Sequence, residues 1–205
     1  MSQSGSTSLK ITFSTEPVPP HGIKNLDTIS IDTATPLVID DVAAALKSGV
    51  GSGSVLSVEK AHAGSPYILF NPADTLAIFK FLRDNDKIRG IGLAVVSAVD
   101  YLDKNEAGEP QEPRVELVYV VDSFAHKTQI MLKAKLDRNA PKIASIAGIY
   151  RSANWYEREC YDMVGVTFEG HPNHERILLP PDWKGHPLRR DYEFPEEYNG
   201  MKVPL

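Results

Sequence analysis

A single cysteine, Cys160, stands in 205 residues. No disulfide can form within the chain. An iron–sulfur cluster, which takes about four cysteine thiolates, finds no ligand set here. A structural zinc site would need three ligands beyond the one thiol. Long apolar runs are missing as well. The longest, Ile91 to Val99, contains Gly92 and Ser97 and falls far short of the roughly 20 apolar residues that span a bilayer. Basic residues are the minority charge, 22 Lys and Arg against 27 Asp and Glu, for a formal charge of −5. That argues against nucleic acid as the main partner, which calls for a basic face. The opening residues, MSQSGSTSLK, carry neither the apolar centre of a secretory signal nor the arginines of a transit peptide. These absences predict a cytoplasmic, reducing compartment and no membrane span in the chain itself.

Catalytic signatures are missing from residues 37–149, which hold no G-x-S-x-G, no H-E-x-x-H and no dinucleotide fingerprint. The glycine-rich GVGSGS at 49–54 lacks the Lys-Ser/Thr ending of a P-loop and precedes a strand instead of linking strand to helix, so it reads as a turn.

What is present is an ordinary globular core, at 42% hydrophobic. Residues 1–36 are rich in Ser, Thr and Pro and read as a flexible arm with one short strand around Leu9–Phe13. From 37 to 149 the pattern is that of an α/β platform. Leu37, Val38, Val42, Ala45 and Leu46 recur at helical spacing, with Gly49 as a stop. A strand follows at Val55–Val58. A second helix opens at Asn71 as N-cap, Pro72 at the first turn and Asp74 near the positive end, with Leu76, Ile78, Phe79 and Leu82 as its buried face. Three strands come next, at 91–99, 115–122 and 128–136, with the alternation Glu116/Val118/Val120 in the second. The loops between them predict hairpins. The fold class is therefore α+β: two helices packed on a mostly antiparallel sheet, then a further helix and a long extended Pro-rich C-terminal tail.

The further helix is YRSANWYERECYDMVG at 150–165. Asn154 with Glu157 resembles a capping box, Ser152 is a rival cap, and Gly165 ends the run. Tyr156, Cys160, Met163 and Val164 share one face, which makes Cys160 a packed residue. Glu157 and Glu159, two apart, point away from each other; Arg158 and Asp162, four apart, are placed to pair. His171, His174 and His186 with Cys160 make four potential metal ligands. However, HPNH is interrupted by proline and lacks the i, i+4 spacing that joins two histidines on one helical face.

Residues 171–205 hold six prolines, against nine in the preceding 170. Such a tail forms no long helix or central strand. It also carries Ile177, Leu178, Leu179, Trp183, Leu188, Tyr192, Phe194 and Tyr198, more apolar and aromatic anchors than a disordered tail holds. Residues 150–205 read as a helix followed by a docking strip, proline lowering the entropy lost when it lies along a partner.

Trp155-Tyr156-Glu157-Arg158-Glu159, Tyr161-Asp162-Met163, Gly165, Phe168, Gly170-His171-Pro172, Arg176-Ile177-Leu178, Pro181-Asp182-Trp183, Gly185 and Pro187-Leu188-Arg189-Arg190-Asp191 together resemble the signature of the NADH:quinone oxidoreductase C-subunit family. Members of that family are peripheral-arm subunits of respiratory complex I. The resemblance covers roughly residues 37–195. Val164 stands where the family usually carries a large residue such as Phe, His174-Glu175 where it carries Leu-Arg, and Arg190 where Lys is common.

The resemblance implies a subunit of a proton-translocating NADH:quinone oxidoreductase with no catalytic, cofactor or metal site in this chain. FMN, iron–sulfur clusters and quinone would lie in partner subunits. Those partners would be chiefly the D subunit, which is hydrogenase-large-subunit-like, and the B subunit, which holds the terminal cluster. The I subunit would be a further neighbour. The chain would sit peripherally on the cytoplasmic face of the bacterial inner membrane. A related membrane-bound hydrogenase, or a dehydrogenase with another electron donor, is the alternative machine; a small His/Cys metalloenzyme is the alternative of another class. The residues expected to meet partners are Trp155, Glu157, Arg158, Glu159, Asp162, His171, Arg176, Trp183, Leu188, Arg189, Arg190 and Asp191. Their charged members are expected to pair within the strip or across its interface.

Overall fold

A computed structural model describes residues 35–60, 64–104, 108–109 and 111–202. The strand expected around Leu9–Phe13, and nearly all of the expected arm, lie outside the described residues. The architecture is α+β. Helix α1 spans Ile39–Gly49 and strands β1 and β2 span Val55–Lys60 and Pro66–Phe70. A 3-10 turn, Pro72–Asp74, leads into α2, Thr75–Asp84. The long strands are β3 (Gly92–Tyr101), β4 (Arg114–Ser123) and β5 (Thr128–Asp137). Then come β6 (Lys142–Ala144), α3 (Ala153–Val164), β7 (Thr167–Glu169) and a small hairpin of β8 (Glu197–Tyr198) and β9 (Met201–Lys202).

Five strands form one sheet in the order β1-β2-β5-β4-β3. All neighbours are antiparallel except β2 and β5, joined in parallel at Ile68↔Leu132 and Leu69↔Lys133. The two expected hairpins are there, β3 with β4 and β4 with β5. Period-2 alternation decides the faces. Val115, Leu117, Tyr119 and Val121 of β4, with Ile130, Leu132 and Ala134 of β5, are fully buried. Glu116, Val118 and Val120 take the opposite face, where Glu116 is held by Arg114 at 2.8 Å and Lys133 at 3.6 Å.

Helices α1 and α2 cover the apolar face. Asp40 and Asp41 in the first turn of α1 and Lys47 in its last complement the helix dipole, while Val42, Ala43 and Leu46 face inward. At α2 the sequence reading needs a correction. Asn71 does cap the lead-in turn, its Oδ1 accepting from the Ala73 N–H at 3.2 Å, but Leu76 is 51% exposed. The buried stripe is Thr75, Ile78, Phe79 and Leu82, a regular i, i+3, i+4, i+7 set, and Leu76 falls outside it. Phe79 then packs on Tyr119 at 4.7 Å and edge-on to Tyr150 at 6.3 Å.

The short strands β6 and β7 pair in parallel from Lys142↔Thr167 to Ala144↔Glu169, with α3 as their crossover. Ile143, Cys160, Val164, Val166 and Phe168 join the same hydrophobic cluster as the sheet. Among the described residues no helix is long and apolar enough to cross a membrane.

Candidate functional site

Strand β3 is a sheet edge, and its outward carbonyls need donors. Helix α3 supplies them from a single i, i+4, i+8 stripe. Ser152 Oγ donates to the Leu93 carbonyl at 3.2 Å and Tyr156 Oη to Ala94 at 2.7 Å. The Cys160 thiol lies 3.7 Å from the Val96 carbonyl. Burial pushes that thiol up to about 12, so Cys160 is a packed neutral group. The expected capping box does not form: Ser152 is helical itself, at φ −64 and ψ −27, with no side-chain cap bond, and Glu157 is turned into the core.

Glu157, fully buried, accepts from Ser145 Oγ at 2.5 Å and from the Ile146 N–H at 2.7 Å. Burial pushes its carboxyl up to about 7, against the pull of these two bonds. His171, whose side chain is also enclosed, stands 3.8 Å away. Its Nδ1 accepts from the Asn173 N–H at 3.0 Å and its Nε2 lies 3.2 Å from the Asn154 carbonyl, a pattern that places the proton on Nε2.

The partner expected for Asp162 is also replaced. The carboxylate is fully buried and faces the tail, not Arg158. One oxygen accepts from the N–H groups of Ile177, Leu178 and Leu179 at 3.0, 2.7 and 3.0 Å. The other pairs with Arg176 Nη1 at 2.7 Å. Burial alone would push this carboxyl up, but the bonds from Leu179, Leu178, Arg176 and Ile177 together hold it below its ordinary range. Arg158 turns instead to the carbonyls of Glu175 and Arg176, at 3.0 and 3.3 Å, and lies 5.1 Å from the centre of the Trp155 ring. Four saturating donors from the tail outcompete a half-exposed neighbour one helical turn away.

Downstream contacts keep the tail on α3. The His186 ring lies 3.0 Å from the Asp162 carbonyl, the Leu188 N–H donates to Met163 and Arg189 Nε donates to Val164. Gly165 makes this possible: its φ is +84, and a Cβ there would lie 2.6 Å from the His186 ring. A cleft of about 40 Å³ is left beside Val164, between Val96, Cys160 and Leu188. Further on, Arg138 at the end of β5 forks onto Asp100 at 2.7 and 2.8 Å and reaches Asp191 at 2.6 Å. The Arg190 N–H also donates to Asp100. Arg138, Asp100 and Ser145 were not singled out from sequence. Asp100, closing an otherwise apolar strand, is the one that carried a signal.

The twelve residues expected at an interface thus divide. Asp162, His171, Arg176 and Arg189 point inward and, with Arg158, fasten the tail, while Glu157 points inward and holds the Ser145–Ile146 segment. Asp191 is spent on Arg138. Trp183 is half-buried against Tyr198, 5.0 Å between ring centres. Trp155, at 62% exposure, and Leu188, at 61%, face outward with Glu159 and Arg190, joined by Leu178. The histidines do not form a ligand set. His174 Nε2 accepts from the Phe168 N–H at 3.1 Å and burial lowers its basicity, so its lone pair, like that of His171, is occupied by backbone. No group of three or more metal-binding side chains occurs among the described residues.

The profile of a family described as the 30 Kd subunit of respiratory-chain NADH dehydrogenase matches residues 68–198. A protein of Chloroherpeton thalassium, named as the C subunit of NADH-quinone oxidoreductase, is 43% identical over 129 residues, 62% of this chain and 50% of that protein. One of the same name from Roseiflexus sp. is 37% identical over 164 residues, 80% of this chain and 85% of that protein. The chain thus spans half the length of the first relative and most of the second. Among solved structures, a chain of an archaeal membrane-bound sulfane sulfur reductase, described as a respiratory membrane complex, shares the fold. Its TM-score is 0.56 at 19% identity, over 75% of this chain and 84% of that one.

Proposed function

The chain belongs to the family of the respiratory-chain NADH dehydrogenase 30 Kd subunit, and from that premise we propose that it is a non-redox bracing subunit of a proton-translocating NADH:quinone oxidoreductase. In this reading it sits in the peripheral arm, on the cytoplasmic side of the bacterial inner membrane. It holds in register the hydrogenase-large-subunit-like partner and the partner that carries the terminal iron–sulfur cluster, with the I subunit nearby. Flavin, clusters and quinone belong to those partners; electron transfer and proton pumping belong to the assembly.

The observation that carries this reading is the Asp162 clamp. A buried carboxylate takes three consecutive N–H groups of a stretch of the proline-rich tail that lies in no strand. The tail is thereby held in one shape before any partner arrives, and pre-organisation is what lets an extended segment bind without a large ordering cost. Trp155, Leu178 and Leu188 are left outward; tryptophan is a residue type that dominates interface energies, and the two leucines add apolar area for a partner to bury. Position matters in such a machine, since small displacements between reacting centres are costly.

The test is affinity purification of the tagged chain from detergent-solubilised membranes, with mass identification of what accompanies it. Flavin and cluster subunits together with NADH-driven quinone reduction support the reading. Cluster subunits with a different electron-input module would transfer the same bracing role to a related machine. Recovery of the chain alone would overturn it.

A further inference from the structure

Past the Arg138 clamp the tail builds a recess around the Trp183–Tyr198 contact. The Asn199-Gly200 turn, with φ of +51 and +76, folds β9 back on β8 and sets Tyr198 against Trp183. Tyr198 Oη donates to Asp182 at 2.8 Å. The ring of Tyr192 closes another side, its hydroxyl donating to the Lys184 carbonyl at 3.2 Å. That ring lies over Gly185, whose φ is +82 and where a Cβ would come within 2.6 Å of it. Between these walls is a cavity of about 380 Å³, lined by three aromatic rings and by Asp182, Glu193 and Glu197. Lys184 is the one basic residue in that lining among the described residues.

Ring faces and carboxylates present the same sign of potential, so the recess favours a cation. We propose that it receives an arginine side chain carried by a partner polypeptide. The flat guanidinium lies on the Trp183 and Tyr192 rings and turns its N–H edge toward Glu193 and Glu197. Arginine fits better than lysine because its planar fork both stacks on rings and bonds carboxylates, whereas an ammonium is a strongly hydrated point charge. The volume exceeds one side chain, so residues flanking the arginine enter with it. This inference rests on the docking role proposed above and gives that role a chemical preference: an acidic or phosphate-bearing segment is repelled here.

Two variant pairs of the full-length tagged chain, purified from membranes, separate the two readings. Glu193→Gln/Glu197→Gln removes two of the three lining carboxylates; Leu178→Asp/Leu188→Asp removes two outward apolar side chains. The expected result is that the first pair recovers about tenfold less partner subunit than wild type. If the leucine pair loses partners and the glutamate pair does not, the recess proposal is overturned and the docking role stands. If wild type recovers no partner at all, the docking role falls, and the recess proposal with it. A second measurement reads the recess directly. In the purified full chain carrying Trp155→Phe, Trp183 is the remaining tryptophan. Its fluorescence should shift saturably with N-acetyl-arginine amide and not with the uncharged isostere N-acetyl-citrulline amide. Equal responses to both, or a stronger response to the lysine analogue, overturn the assignment.

Discussion

Exchanging Asp162 for asparagine keeps the shape of the side chain and removes its charge, which makes Asp162→Asn a sharp probe of the clamp. The amide has one acceptor oxygen and one NH2 group. Placed toward Ile177, Leu178 and Leu179, the NH2 faces three N–H donors at about the present 2.7 to 3.0 Å. Placed the other way, it faces the Arg176 guanidinium, now at 2.7 Å. Either rotamer sets donor against donor in a buried site. Breaking a buried pair by removing one partner costs about 3–5 kcal/mol. The individual bonds, each about 1.5–3 kcal/mol when charge-assisted, are not to be summed, because the network responds as a unit. At a factor of ten per roughly 1.4 kcal/mol, the tail should open between about a hundred and a few thousand times more often.

Amide hydrogen exchange reads that ratio site by site. The N–H groups of Ile177, Leu178 and Leu179 should lose protection by that factor, while those inside β4 and β5 keep theirs. Unchanged protection at the three amides would refute the clamp. An equal loss across β4 would refute it differently, by making Asp162 a residue of the whole core. The pH dependence has a fixed sign. The folded carboxyl lies below its ordinary value of 3.8, so the ion's contribution is complete above that value and is lost as pH falls through the folded one. Wild-type tail amides should therefore stay protected at mildly acid pH and loosen only below roughly pH 4.

Glu157 has the opposite sign. Its carboxyl rises from 4.5 to about 7 on folding, so its contribution is full below 4.5 and falls as pH climbs to about 7. Glu157→Gln, which mimics the protonated form, should gain stability relative to wild type between pH 5 and 8, by up to about 3 kcal/mol, read from denaturant midpoints; a constant difference across that range refutes the shift. Gly165→Ala should destabilise by at least about 1–2 kcal/mol, since it strains a left-handed residue and drives a methyl into the His186 ring; an unchanged melting temperature would mean that ring moves freely. Arg158→Glu sets a carboxylate against the carbonyls of Glu175 and Arg176, and should reduce recovery of partner subunits while leaving quinone reduction per assembled complex intact. Full assembly with lost quinone reduction would count against the bracing role.

The long strands and the first two helices were legible because each is decided by its own pattern: period 2 across Val115–Asp122, helical spacing across Val42–Leu46. Leu76 was misplaced because side-chain type pointed to it, whereas the regular i, i+3, i+4, i+7 set completed by Ile78, Phe79 and Leu82 begins on a polar residue, Thr75. Strands β6 and β7 are three residues each, too short to show any period. The largest gap lies in α3. A helical wheel puts Arg158 beside Asp162 and leaves Glu157 as a cap, since it sees only the helix. The true partners come from Ser145–Ile146 upstream and Ile177–Leu179 downstream, and backbone N–H groups carry no residue-type signal by which a sequence could announce them.

Why that helix is charged on a buried side follows from the tail's chemistry. Prolines at 172, 180, 181 and 187 deny the segment a helix or a ladder, so its remaining N–H groups must find acceptors elsewhere or stay costly and unpaired. A leucine at position 162 would pack well and leave three of them orphaned. A neutral amide could serve one or two and would oppose the rest. A carboxylate accepts all three on one oxygen and still holds Arg176 with the other. The acids that look in the sequence like a surface prepared for partners are in large part the means by which the chain gives its own tail a fixed shape. In the docking role proposed above, what the tail then offers a partner is Leu178 and Leu188, outward on the backbone that those buried charges hold in place, with Trp155 exposed on the helix beside it.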